Sequence, residues 1–154
     1  MQCRFLIYKG REVFSLLLHD WQKPILLSNL LTKPAHSIIN QSFDNRLRLD
    51  MSRPVNGDGF GVGYYQDDKS DSEGPAIFTA ITPAWSNMNL ERLANKTRST
   101  LVFAHVRAST SGALAEINCH PWSYHSLMWM HNGIPSFLGK KLNHWRFHWR
   151  IWEN

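Results

Sequence analysis

A mixed α+β domain is the fold class that this sequence predicts, and three observations carry it. Apolar runs of strand length end in glycine or in polar tips, as in "CRFLIYKG" (Cys3 to Gly10) and "TLVFAHVRASTSG" (Thr100 to Gly112). The stretch "NGDGFGVGYY" alternates Phe60, Val62 and Tyr64 with Gly61 and Gly63, behind two turn dipeptides. Helical spacing occurs between these strands, most clearly in "NMNLERLANKT".

Taken in order, Cys3 to Tyr8 reads as a buried strand stopped by Lys9-Gly10. Leucines bunched in "REVFSLLLHDWQKPILLSNLL" predict two short helical pieces, with Pro24 between them. "AHSIINQSFDNRLRLD" reads as a polar loop with one helical turn. Glycine repeated inside a strand costs stability, so Gly61 and Gly63 mark a backbone that something else approaches closely. Residues 66–74 form a solvated hairpin loop, and "AIFTAIT" returns as a strand. Asn87 or Asn89 caps the next helix. The last two strands, in "TLVFAHVRASTSG" and "HSLMWMHNG", both end in polar tips, where a rigid sheet presents groups to solvent.

The 154 residues suffice for one domain with a real core. The formal charge of +5 is concentrated at one end, since Ile134 to Asn154 alone carries +3. The remainder is ordinary for a soluble domain, so the charge does not argue for nucleic acid. Two cysteines make no disulfide framework and fit a reduced, cytoplasmic protein. No apolar run reaches the length needed to span a bilayer, and "VFSLLL" is too short for a secretory signal.

Three segments hold residue types suited to acyl chemistry. Cys3 beside Arg4 has a cation near its thiol, and an α-amine can activate a terminal nucleophile; the other reading is a buried strand cysteine. Arg107, with the hydroxyls of Ser109, Thr110 and Ser111, offers a fork for a carboxylate, or else is a structural arginine tying its loop to a neighbouring Asp or Glu. In "HNG", the Asn132 amide and the Gly133 N–H can converge on one oxygen, although Asn-Gly is also a common turn. Cys119, His120, His125 and His131 are potential metal ligands, but their spacing matches no zinc pattern, and no metal or other cofactor is expected.

The ordered set "CRFLIYKG", "PAHSIINQSF", "NGDGFGVGYY", "ITPAWSN", "LVFAHVRASTSG", "NCHPW" and "LMWMHNG" resembles class II glutamine amidotransferase domains, in particular the fungal subunit of the cytosolic glutathione-degradation complex. The likeness covers residues 3–12 and 23–133, with an apparent insertion at 13–22. It sets a domain at 1–133 apart from a divergent, Trp-rich basic tail at 134–154. The resemblance implies an N-terminal nucleophile hydrolase fold, an αββα sandwich of which this chain holds the N-terminal part. It implies cleavage of a γ-glutamyl amide, in glutamine or glutathione, through a cysteine thioester. Cys3 would be the nucleophile, Arg107 would hold the substrate α-carboxylate with Thr110 nearby, and Asn132 with Gly133 would stabilise the oxyanion. A metallopeptidase-like partner subunit is implied, with neither nucleic acid nor membrane.

Two departures favour a second reading, a non-catalytic or partner-binding remnant of the family. Gln2 separates Cys3 from the initiator methionine, and a peptide nitrogen cannot act as the base because its lone pair is delocalised. The family domain also continues past the "HNG" turn, so the chain reads as truncated.

Overall fold

A computed structural model describes residues 3–10, 24–44, 55–66, 74–109 and 113–132. The expected helical piece and insertion between residues 11 and 23, the tip of the 66–74 hairpin, Thr110, Ser111, Gly133 and the 134–154 tail lie outside the described residues.

The main sheet is antiparallel, with strand order β1-β6-β3-β4. Its strands are β1 (Arg4–Lys9), β3 (Phe60–Tyr64), β4 (Ala76–Ala80) and β6 (Leu101–Val106). Two-residue strands β2 (Ile25–Leu26) and β5 (Arg98–Ser99) pair beside it, and β7 (Trp122–Tyr124) with β8 (Leu127–Trp129) forms a small hairpin. The helices are short: α1 (Ser28–Leu31), α2 (Ile38–Phe43) and α3 (Met88–Ala94). Strands and helices therefore mix as α+β.

Most elements fall where local chemistry places them. The Ser37 hydroxyl accepts from the Asn40 N–H at the start of α2, and Asn87 accepts from the Leu90 N–H at 2.8 Å to start α3. Segment 25–31 differs from the expected helical piece. Ile25 pairs with Ser99, which draws the chain into extended backbone before one helical turn forms. The short strand β7 carries no sequence signal of its own, because its register is set by β8 alone.

Strand alternation gives the sheet two different faces. Phe60, Val62, Val102, Ala104 and Val106 belong to the core with Leu27, Leu31, Ile38 and Leu90 of the helical side, and the half-buried Leu6 and Tyr8 pack against it. In register across the other face run Phe5, His105, Gly61 and Thr79, then Ile7, Phe103, Gly63 and Ile77. The glycines are there for space. A Cβ on Gly61 would run into the His120 carbonyl oxygen, and one on Gly63 would run into the Met128 sulfur. The backbone approach expected of this strand is thus made by the segment that leads into the β7–β8 hairpin. Towards the edge strand the same face is open, with Phe5 52% and Ile7 53% exposed.

Candidate active site

The site begins with the register of the central strand. Arg4 pairs with Val106, and one further step sets Cys3 opposite Arg107. On the other side Phe60 pairs with Val106, and the Arg107 N–H donates to the Gly59 carbonyl at 2.8 Å. Cys3 and Ala108, 105 positions apart, therefore meet because of sheet topology rather than local sequence.

Cys3 is half-buried. Its sulfur lies 3.4 Å from the Ala108 nitrogen, whose N–H points to it, and 3.6 Å from the Ala108 carbonyl oxygen. These contacts fix the thiol at the tip of β6. Arg4, which the sequence sets beside the thiol, carries its guanidinium to Gln41 Oε1 on α2, at 2.6 Å. Successive strand residues point to opposite faces, so the neighbour in sequence is not the neighbour in space.

Arg107 is 7% exposed. Its Nη1 donates to the carbonyls of Asp58 and Ala113 at 3.5 and 3.4 Å; its Nη2 donates to Ser109 Oγ and the Ala113 carbonyl at 3.2 and 3.3 Å. These are long bonds to neutral acceptors. Among the described residues no carboxylate pairs with this cation. The nearby Asp58 is engaged elsewhere: its Oδ2 accepts from the Ser109 N–H at 2.7 Å, and its own N–H donates to the Arg107 carbonyl. Arg107 therefore ties its loop to the fold, but through carbonyls and a hydroxyl rather than through an Asp or Glu.

Asn132 is exposed, and its Nδ2 donates to the Cys3 carbonyl at 3.0 Å. A primary amide has two N–H groups, so one remains for another acceptor. Cys3, Arg107 and Asn132 are thus brought to one corner of the sheet, whereas Thr110 and Gly133 lie outside the described residues. A cavity of about 530 Å³ opens on the helical side of β1, bounded by Arg4, Leu6, Ile38, Gln41 and Asn132. It shares only Asn132 with the three.

The metal-ligand candidates have other surroundings. Cys119 is buried with its thiol on the Ala80 carbonyl at 3.5 Å; burial pushes its pKa up, against the pull of Arg107. His125 sits in the β7–β8 turn at φ 49°, with its ring against Tyr124. His120 packs its ring 4.3 Å from that of His105. No group of three His, Cys, Asp or Glu able to hold a metal occurs among the described residues.

Reading the sequence missed His105, Asp58 and the Ala108 N–H. The first is a buried residue two places before Arg107, with a pKa pushed down to about 3 by burial, then by His120 and Arg107. His120 is pushed down to about 4 by burial, then by His131 and Arg107. Strand alternation from Arg107 was the one signal that could have drawn attention to His105. A backbone N–H leaves no trace in side-chain identity.

Residues 27–145 match the family of class II glutamine amidotransferases. Over 147 residues the chain is 63% identical to a probable glutamine amidotransferase, DUG3, of Saccharomyces cerevisiae, an alignment that covers 92% of this chain and 38% of that protein. It is 27% identical over 134 residues to the gamma-glutamyl-hercynylcysteine sulfoxide hydrolase of Mycobacterium tuberculosis, covering 86% of this chain and 49% of that one. Among solved structures, a glutamine aminotransferase class-II domain protein from Silicibacter pomeroyi aligns with a TM-score of 0.42 and 23% identity, over 79% of this chain and 32% of that one. The chain thus spans less than half the length of each of these relatives.

Proposed function

The chain belongs to the class II glutamine amidotransferases, and from that premise we propose that it hydrolyses a γ-glutamyl amide, in glutamine or in glutathione, through a thioester on Cys3. The observation that carries this reading is the placing of a thiol, a guanidinium held only by long bonds to neutral acceptors among the described residues, and an amide with an N–H to spare at one sheet corner. Arg107 exchanges its long bonds to carbonyls for a bidentate pair with the substrate α-carboxylate, with Thr110 alongside. The Cys3 sulfur attacks the γ-carbonyl carbon, and the Cys3 α-amine takes the thiol proton. The oxyanion is received by the second Asn132 N–H and by the Gly133 N–H. Collapse breaks the C–N bond, and the ammonium returns its proton to the leaving nitrogen. Ammonia leaves from glutamine, or cysteinylglycine from glutathione. Water then attacks the thioester and releases glutamate.

The dipeptide product is what a metallopeptidase-like partner subunit would consume. Both described cysteines are unpaired, in keeping with a reducing compartment, and we place the reaction in the cytoplasm. No helix of the described residues is long and apolar enough to cross a membrane.

The mechanism needs Cys3 as the first residue, because in "MQC" its nitrogen is a peptide nitrogen. Gln2 is also what favours the second reading, a catalytically inactive remnant or partner-binding module of the same family. The test is glutamate release from glutamine and from glutathione by a chain that starts at Cys3, by the same chain with Cys3→Ala, and by a chain that keeps Met1 and Gln2. Release by the first alone is expected. Equal rates in the first two would overturn the hydrolase.

A further inference from the structure

His105 and His120 are not needed for any step above, yet they lie at the junction of its two arms. One arm is β6, where His105 precedes Arg107 by two residues. The other runs from His120 through the β7–β8 hairpin to Asn132. Four rings join them: His105 to His120 at 4.3 Å, His120 to Trp122 at 4.0 Å, and Trp122 to Trp129 at 6.3 Å between centroids. The line is seated firmly at its centre, because Gly61 lets the His120 carbonyl rest directly on β3.

Burial makes this arrangement costly. His105 is 1% exposed, and neither of its ring nitrogens has a hydrogen-bond partner among the described residues, nor does His120 Nδ1. Each such group carries a desolvation penalty with nothing in return. No hydrogen bond uses these nitrogens, so the rings themselves are what the pair contributes. Breaches of the usual rules for buried polar groups tend to gather at functional sites.

We infer that the His105–His120 stack is a positioning element of the γ-glutamyl site, holding the Arg107 arm at a fixed spacing from the Asn132 arm. This rests on the hydrolase reading. The stack touches no substrate; it acts through Arg107 and Asn132, which must engage the two ends of one γ-glutamyl group together. A misplaced arm weakens binding of substrate, whereas loss of packing alone only reduces the fraction of active molecules.

The experiment compares His120→Leu and His120→Phe in the chain that starts at Cys3, measuring KM and kcat for glutamine, thiol titre and thermal melting. His120→Leu removes the ring and is expected to raise KM about tenfold with the thiol titre unchanged. His120→Phe keeps a ring and is expected to return KM to within about threefold of the parent. Trp122→Leu breaks the line at a less buried residue and is expected to raise KM likewise, should His120→Leu fail to fold. An unchanged KM in the variants that fold, with only kcat or melting reduced, would overturn the inference and leave the hydrolase standing. Absence of turnover in the parent chain, with a cooperative melt, would overturn both.

Discussion

The side-chain amide of Asn132 and the main-chain carbonyl of Cys3 are joined across 129 residues by a 3.0 Å hydrogen bond. The bond aligns the amide with the Cys3 backbone and leaves a second N–H for another acceptor. Asn132→Ala is expected to lower kcat by about 10²- to 10³-fold, the usual effect of losing one oxyanion donor. Asn132 is exposed, so the melting temperature should hardly move. A proportionate loss of folded protein would instead assign the residue to the fold.

Arg107→Lys separates charge from geometry. Lysine keeps the positive charge but loses the planar fork. Loss of one charge-assisted hydrogen bond, about 1.5–3 kcal/mol, corresponds to a roughly ten- to hundredfold rise in KM for glutamine. The Ala113 and Asp58 carbonyls also lose donors, so a modest fall in stability should accompany it. A KM within twofold of the parent would count against the carboxylate clamp.

Gly61→Ala is expected to destabilise strongly. The new methyl meets the His120 carbonyl, a backbone atom that cannot rotate aside. Overpacking usually costs about 1–3 kcal/mol, and this contact belongs at the upper end. At about 2–4 °C per kcal/mol for a chain of this size, melting should fall by roughly 6–12 °C. A melting temperature equal to the parent's would show that the hairpin is not seated on β3 as described.

Acid should weaken the fold through the same histidine pair. Both imidazoles titrate near 6.5 in the unfolded chain, but at about 3 and about 4 when buried. The unfolded state therefore holds more protons between those values, and stability falls as pH is lowered from about 6.5 towards 4. The slope is up to about 1.4 kcal/mol per pH unit for each histidine in that window. Denaturant midpoints from pH 7 to pH 4 read it directly, and His105→Phe should flatten the curve. An identical slope in that variant would place the acid sensitivity elsewhere.

Much of this was legible in the residues. Glycine at 61 and 63 announced a close approach, and Asn87 announced a helix start. What stayed hidden depended on pairing between distant segments. Arg4 looked like the thiol's partner until strand alternation turned it to Gln41. His120 looked like one of four metal ligands, because only the fold reveals that its ring belongs to His105. Ile25 and Leu26 looked helical because nothing local records their pairing with Arg98 and Ser99.

The antiparallel match of Arg4–Lys9 with Leu101–Val106 also sets an order of events in synthesis. The thiol-bearing segment is made before β6, its strand neighbour among the described residues, which emerges from the ribosome some ninety residues later. At translation rates of about 5–20 residues per second, Phe5 and Ile7 wait for seconds without that neighbour. Of the residues in the proposed site Cys3 is the earliest to be made and among the last to be placed, so a nascent chain carries this sulfur well before it carries Arg107 and Asn132.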